Sequence, residues 1–213
     1  MKYKTVIWDF NGTLLDDVEI SMNAMNTVLD RRSLKRIPST DGFRDVFSFP
    51  VEDYYQRLSI DFSKEPFKVS ADEWVELYSK EMYSSPIMKG AKEALGLLRD
   101  SGIKLLILSA SEKQRLSEHL SRLDIAKYFD EVHGAEDVYA RGKDDIAKML
   151  SERKELFPAV LIGDTDHDFK CAQMIGADCI LFSKGFMSRE RLLKLSVPVY
   201  DDLLEIAEKI IKE

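Results

Sequence analysis

The sequence predicts an α/β fold, a doubly wound parallel sheet with helices on both faces, interrupted near its start by a small all-α insert. Three observations predict it. Val6-Ile7-Trp8, Leu105-Leu106-Ile107-Leu108 and Val160-Leu161-Ile162 are short apolar runs without alternation, as expected of strands buried on both faces. Helical apolar patterns separate the later runs, which argues for parallel pairing through crossovers. Between Ser33 and Ser85 the pattern changes to an aromatic-rich block punctuated by Pro38, Pro50 and Pro66, with no convincing alternating strand.

Taken in order, Thr5–Trp8 is the first buried strand. Val18, Met22, Met25 and Leu29 then line one face of a helix over Asp17–Arg32. Within the aromatic block, Val51–Leu58 and Ala71–Tyr83 fit short helices. A helix over Ala91–Ser101 stops at Gly102, and Ile103–Leu108 is a strand. Ser111-Glu112-Lys113-Gln114 reads as a capping box opening the helix marked by Leu116, Leu120 and Leu123. A short strand at Glu131–His133, a helix over Lys143–Lys154 and a strand at Ala159–Ile162 follow. A helix over Asp168–Ile175 ends at Gly176, followed by strands at Cys179–Phe182 and Val197–Tyr200 and a last helix over Asp201–Ile211.

Composition bounds the partners. A chain of 213 residues with 45% hydrophobic and 32% charged residues has the make-up of a globular protein. No run of about 18 apolar residues offers a membrane span. The N-terminus reads straight into a strand without a basic-then-apolar leader, so a cytoplasmic location is the default expectation. The net charge of −7 argues against a nucleic-acid-binding face. Cys171 and Cys179 lie in apolar surroundings and are expected to be reduced core residues.

Three of the strands run into polar residues. The first ends on Asp9, the second on Ser109, and Val160-Leu161-Ile162 on Gly163-Asp164 with Asp166 and Asp168 behind; Lys143 opens a helix after Arg141-Gly142. In a parallel sheet ligands bind at the carboxyl ends of strands, so Asp9, Ser109 and Asp164 share one crevice. Carboxylates gathered there repel one another unless a cation lies between them. Oxygen donors without Cys or His suit Mg²⁺. A lysine and a hydroxyl suit phosphoryl oxygens, and a strand-tip carboxylate can act as a nucleophile.

These residues resemble the haloacid dehalogenase superfamily of phosphatases. The matching elements are Asp9-Phe10-Asn11-Gly12-Thr13, Leu106-Ile107-Leu108-Ser109, Lys143 after Gly142, and Gly163-Asp164-Thr165-Asp166-His167-Asp168. The position and helical character of the insert resemble the cap of the phosphoglycolate phosphatase-like branch. The resemblance implies a Rossmann-like core of residues 1–15 and 86–213 with an inserted all-α cap domain at 16–85, hinged near Leu14–Asp17 and Ser84–Met88. It implies Mg²⁺-dependent hydrolysis of a small phosphorylated metabolite through an aspartyl-phosphate, by a monomer or homodimer. By the same resemblance Asp9 is the nucleophile. Asp9, Asp164, Asp168 and the backbone carbonyl of Asn11 hold the metal. Ser109, with Ala110 beside it, and Lys143 hold the phosphoryl group, and Thr13 steadies the loop. Arg44 either stacks on a ring at the surface or meets a substrate anion. A phosphotransferase or sugar-phosphate mutase would use the same parts, and a non-catalytic phosphate-binding relative is a further alternative.

Asn11 departs from the family pattern, which has aspartate there as acid and base. An amide can donate and accept hydrogen bonds but cannot protonate a leaving oxygen. The sequence therefore predicts a slow phosphatase, one suited to good leaving groups, or a proton from another group such as His167 or a cap residue. It also predicts that Asn11→Asp speeds hydrolysis of esters with poor leaving groups.

Overall fold

The computed structural model describes residues 2–136 and 143–212. Six strands form one sheet: β1 (Thr5–Trp8), β2 (Lys104–Glu112), β3 (Glu131–Ala135), β4 (Ala159–Gly163), β5 (Asp178–Phe182) and β6 (Val199–Tyr200). Their order is β3-β2-β1-β4-β5-β6 and every pair is parallel. The central strands alternate between two apolar layers. Val6, Trp8, Leu105, Ile107, Val160 and Ile162 join one core with the helices α5 (Ala91–Asp100), α6 (Lys113–Arg122) and α10 (Leu203–Lys212). Ile7, Leu106, Leu108 and Leu161 join the other with α7 (Lys143–Ser151), α8 (Asp166–Ile175) and α9 (Arg189–Leu193). A strand with apolar residues on both faces carries no period-two signal, which explains the unbroken runs in the sequence. Cys171 and Cys179 are free and buried, as expected.

Between β1 and α5 run the helices α1 (Val18–Arg31), α2 (Thr40–Val46), α3 (Val51–Arg57) and α4 (Phe67–Glu81). They enclose a third apolar cluster, with Met25, Val28, Leu29, Phe43, Tyr54 and Tyr55 at its centre. Helix α2 escapes a periodicity search because it has seven residues and only Phe43 is buried. Pro50 and Pro66 are the N-cap residues of α3 and α4, so the punctuation marks helix starts. The two crossings between insert and sheet touch each other. Leu15 pairs with Ile87 in an antiparallel bridge, and Asp16 N–H donates to the Pro86 carbonyl at 3.0 Å.

Two element boundaries differ from the sequence reading in ways that bear on the site. Strand β2 continues through Ser109, Ala110 and Ser111 to Glu112, because its backbone stays paired with β3 across an irregular register to Ala135. The residue capping α6 is therefore Glu112, whose carboxylate accepts from Gln114 N and Arg115 N, and not Ser111. No helix among the described residues is long and apolar enough to cross a membrane.

Candidate active site

The strand order reverses direction between β1 and β4, where the crossovers diverge and leave a crevice at the carboxyl ends. Asp9 follows β1 and Asp164 follows β4. The β1 tip is fixed to its neighbour by Asp9 N–H donating to the Ile162 carbonyl at 2.8 Å. Asp168 reaches the same place from the first turn of α8. There it completes a capping box with Thr165: its Oδ2 accepts from Thr165 N (2.9 Å), Thr165 Oγ1 (2.6 Å) and Asp164 N (3.1 Å). Carboxylate oxygens of Asp9, Asp164 and Asp168 lie within 4.8 Å of one another. Lys143, the first residue of α7, donates to Asp9 Oδ1 and Asp168 Oδ1, both at 2.6 Å. The Arg141-Gly142 pair ahead of it lies outside the described residues.

All four charged groups are buried: Asp9 is 7% exposed, Lys143 4%, Asp168 1% and Asp164 0%. Burial pushes the Asp9 carboxyl up to about 7, with Lys143 opposing and Asp168 adding to the rise. Asp164 is raised well above its ordinary value by burial and by its like-charged neighbours Asp9 and Asp168. For Asp168 the effect of burial is outweighed by Lys143 and Thr165, and the carboxyl is held below its ordinary value. Burial alone would lower Lys143, but Asp168 and Asp9 outweigh it and keep the lysine protonated.

Three buried carboxylates thus face one ammonium group. Asp164 is held on both sides, by Thr13 Oγ1 at 2.8 Å and by Phe186 N–H at 2.6 Å. Asp9 Oδ2 has the weakest commitment, a 3.4 Å contact from Thr13 Oγ1. An all-oxygen donor set with excess negative charge fits a hard divalent cation such as Mg²⁺. The backbone is built tightly around this cluster. Gly12 has φ +72°, and a Cβ there would come within 2.5 Å of Asp164 Oδ2. A Cβ on Gly185 would overlap the same carboxylate, which the sequence offered no reason to suspect.

Ser109, Ala110, Asn11, Lys143, Asp9, Asp164 and Asp168 all line one cavity above the sheet edge. Ser109 is 1% exposed and its hydroxyl accepts from Ser111 N–H at 3.0 Å. Thr13 is buried behind Asp9 and Asp164 as a loop support. Arg44 does not line the cavity. It bonds the carbonyls of Gly185 (2.9 Å) and Lys184 (3.0 Å) and the Asp41 carboxylate (2.9 Å), so it ties the insert to the loop after β5. His167 also points elsewhere: its Nε2 pairs with Asp144 at 2.7 Å and its ring lies 4.6 Å from that of Phe49.

The side chain of Asn11 is fully committed. Its Nδ2 donates to Asp17 Oδ2 at 2.8 Å and to the Tyr78 hydroxyl at 2.9 Å, and its Oδ1 accepts from Ser111 Oγ at 2.5 Å. The Tyr78 hydroxyl donates to Asp17 Oδ2 at 2.6 Å, and Gly12 N–H donates to Asp17 Oδ1 at 2.8 Å. Asp17 is 1% exposed, and burial pushes its carboxyl up to about 6 against the bonds from Tyr78, Asn11 and Gly12. Asp17, Tyr78 and Ser111 line the cavity and bond Asn11, and sequence reasoning did not single them out as site candidates. Asp17 was visible as a helix start and the end of a hinge, Tyr78 as one aromatic among many and Ser111 as a cap. The usable signal was the adjacency: an acid appears six residues after the amide that replaces one.

A hydrolase with a parallel sheet, an acidic strand tip and a helical insert is the class that this fold and site define. The family model described as haloacid dehalogenase-like hydrolase matches residues 6–182, and the chain belongs to that family. It is 27% identical over 83% of its length to a phosphorylated carbohydrates phosphatase of Thermotoga maritima, covering 83% of that protein. It is 23% identical over 85% of its length to a phosphoglycolate phosphatase of Caulobacter vibrioides, covering 80% of it. Among solved structures, a haloacid dehalogenase-like family hydrolase of Streptococcus pneumoniae superposes with a TM-score of 0.80 at 21% identity, over 98% of this chain and 99% of that one. At that identity the superposition speaks for the fold alone.

Proposed function

We propose that this chain is a Mg²⁺-dependent phosphatase that hydrolyses a small phosphate ester through an aspartyl-phosphate on Asp9. The observation that carries the reading is the Lys143 ammonium, buried and bonded at 2.6 Å to both Asp9 and Asp168 on the floor of the cavity. A carboxylate so placed meets phosphorus with a cation already beside the oxygens that gain charge.

In the first step an Asp9 oxygen forms a bond to phosphorus as the ester P–O bond breaks, and the leaving oxygen departs as an alkoxide that takes its proton from solvent. In the second, water attacks the phosphorus of the acyl phosphate and gives up a proton to solvent, the Asp9–phosphorus bond breaks, and inorganic phosphate is released with the Asp9 carboxylate restored. Lys143 and Ser109 orient the phosphoryl oxygens. Asp9 and Asp164 would hold Mg²⁺ with the backbone carbonyl of Asn11, and Asp168 would act mainly by fixing Lys143 and the Asp164 loop. When bound, the cation supplies charge neutralisation at the phosphoryl group. Residues 16–85 act as a cap that excludes water from this site, hinged where residues 14–16 run beside 86–88.

The test is phosphate release from a panel of phosphorylated metabolites, with Mg²⁺ and with chelator. The expected result is Mg²⁺-dependent release that Asp9→Ala lowers at least about a thousandfold. Release that survives Asp9→Ala would refute the nucleophile.

A further inference from the structure

The cavity above Asp9 has a volume of about 190 Å³ and extends from the carboxylates into the insert. Away from the phosphoryl end its walls are largely aromatic. Phe47 stacks on Phe186 with centroids 5.0 Å apart, and Trp74 lies flat on Tyr78 at 4.8 Å and 10°. Of the two cations among the described lining residues, Lys143 is committed to Asp9 and Asp168. The other, Arg115, donates to Ser79 Oγ at 2.6 Å and faces the Glu112 carboxylate at 3.8 Å. Asp17 and Glu112 add negative charge to the walls. Among the described lining residues five carboxylates thus face two cations that already have partners, which disfavours a second anionic group on the substrate.

A second observation is independent of the first. Ser21 Oγ, Tyr54 Oη and His119 Nε2 are buried polar atoms with no hydrogen-bond partner, and all three residues line this cavity. They are 2%, 3% and 2% exposed. Three of the ten such atoms among the described residues belong to residues of this wall, so the wall carries unused hydrogen-bonding capacity. Burial also lowers the His119 ring, to about 4, so it meets a ligand as neutral imidazole.

We propose that the group esterified to the phosphate is an uncharged, mainly apolar, flat ring system with a few hydrogen-bonding atoms, held between the aromatic walls and met by Ser21, Tyr54 and His119. The proposal rests on the phosphatase reading for its reaction, but its binding half does not. It also accords with Asn11: a phenolic oxygen leaves as a weaker base than an alkoxide, so an aromatic ester suffers less than an alkyl ester from an amide in the acid position.

The test separates ring recognition from leaving-group chemistry. 2-Phenylethyl phosphate, phosphoglycolate and glucose 6-phosphate are all esters of primary alcohols. Their kcat/KM values are measured with Mg²⁺, and binding of phosphate-free 2-naphthol is measured by calorimetry. The expected result is at least about a tenfold preference for 2-phenylethyl phosphate, together with 2-naphthol binding. Ala71→Leu, which adds carbons to the cavity wall, and Trp74→Leu should each shrink both effects. Phosphate release that favours phosphoglycolate or glucose 6-phosphate would overturn the proposal and leave the phosphatase reading standing. 2-Naphthol binding without release from any ester would support the pocket assignment and overturn the phosphatase reading. Neither binding nor release would overturn both.

Discussion

Position 11 is where a single atom changes the chemistry expected of the site. Because Asn11 Nδ2 points at Asp17 Oδ2 from 2.8 Å, restoring an acid there is not a simple gain. Asn11→Asp would press two carboxylates together and remove a donor from Asp17, at a cost of about 1–3 kcal/mol. The sequence reading, that Asn11→Asp speeds poor leaving groups, is therefore revised to the exchanged pair, Asn11→Asp with Asp17→Asn. The exchange keeps every hydrogen bond, with the polarity reversed only in the three among residues 11, 17 and 78. The Gly12 N–H can still donate to residue 17, and the hydroxyls of Ser111 and Tyr78 can donate to the new carboxylate. Thermal melts should show Asn11→Asp below wild type and the exchanged pair partly restored, with a coupling of about 0.5–3 kcal/mol. Asp17 also sets a pH dependence. Its folded value is raised from 3.8 to about 6. As pH rises through that window the unfolded chain gives up its proton first, so stability falls from pH 4 to 6 and the penalty is constant above. Urea titrations at stepped pH should show a loss of up to about 3 kcal/mol that Asp17→Asn lacks.

At the scale of elements, the insert is tied to the sheet domain through backbone carbonyls. Arg191, on α9, donates from one nitrogen to the carbonyls of Arg44 (2.9 Å), Asp45 (3.2 Å) and Phe47 (2.6 Å), which belong to the last turn and C-cap of α2. A cation there satisfies carbonyls that the helix leaves open and suits its negative end. Arg191→Ala should lower stability by roughly 1.5–3 kcal/mol, read from the urea midpoint. The sequence could not announce this contact, because Arg191 and Arg44 are joined only by the fold. It did announce the buried strands, since apolar residues on both faces leave no other reading. It misjudged the end of β2, where Ser109, Ala110, Ser111 and Glu112 remain extended although their side chains leave the core for the cavity. Asp9, Lys143 and Asp164 were legible because their chemistry is meaningless except together. The Asp17–Tyr78 pair was not, since it spans 61 residues and neither partner is unusual on its own.

For the molecule as a whole, the cluster of Asp9, Asp164 and Asp168 against Lys143 makes the folded state short of one positive ion. A divalent cation that binds only the folded chain should stabilise it by about 2.7 kcal/mol at a hundred times its dissociation constant. Differential scanning calorimetry should therefore show a melting temperature that rises with Mg²⁺ and falls with chelator, with a smaller response in Asp164→Asn. Phe186 gives this charge cluster a mechanical connection. Its N–H holds Asp164 while its ring packs against both Phe43 and Phe47 of the insert, with centroids at 5.6 and 5.0 Å. Lifting the insert must either strand that ring in water or drag on the amide that steadies the carboxylate. On the proposed cap motion this joint would couple the acidic floor to the roof, and the coupling free energy would be the same in each direction.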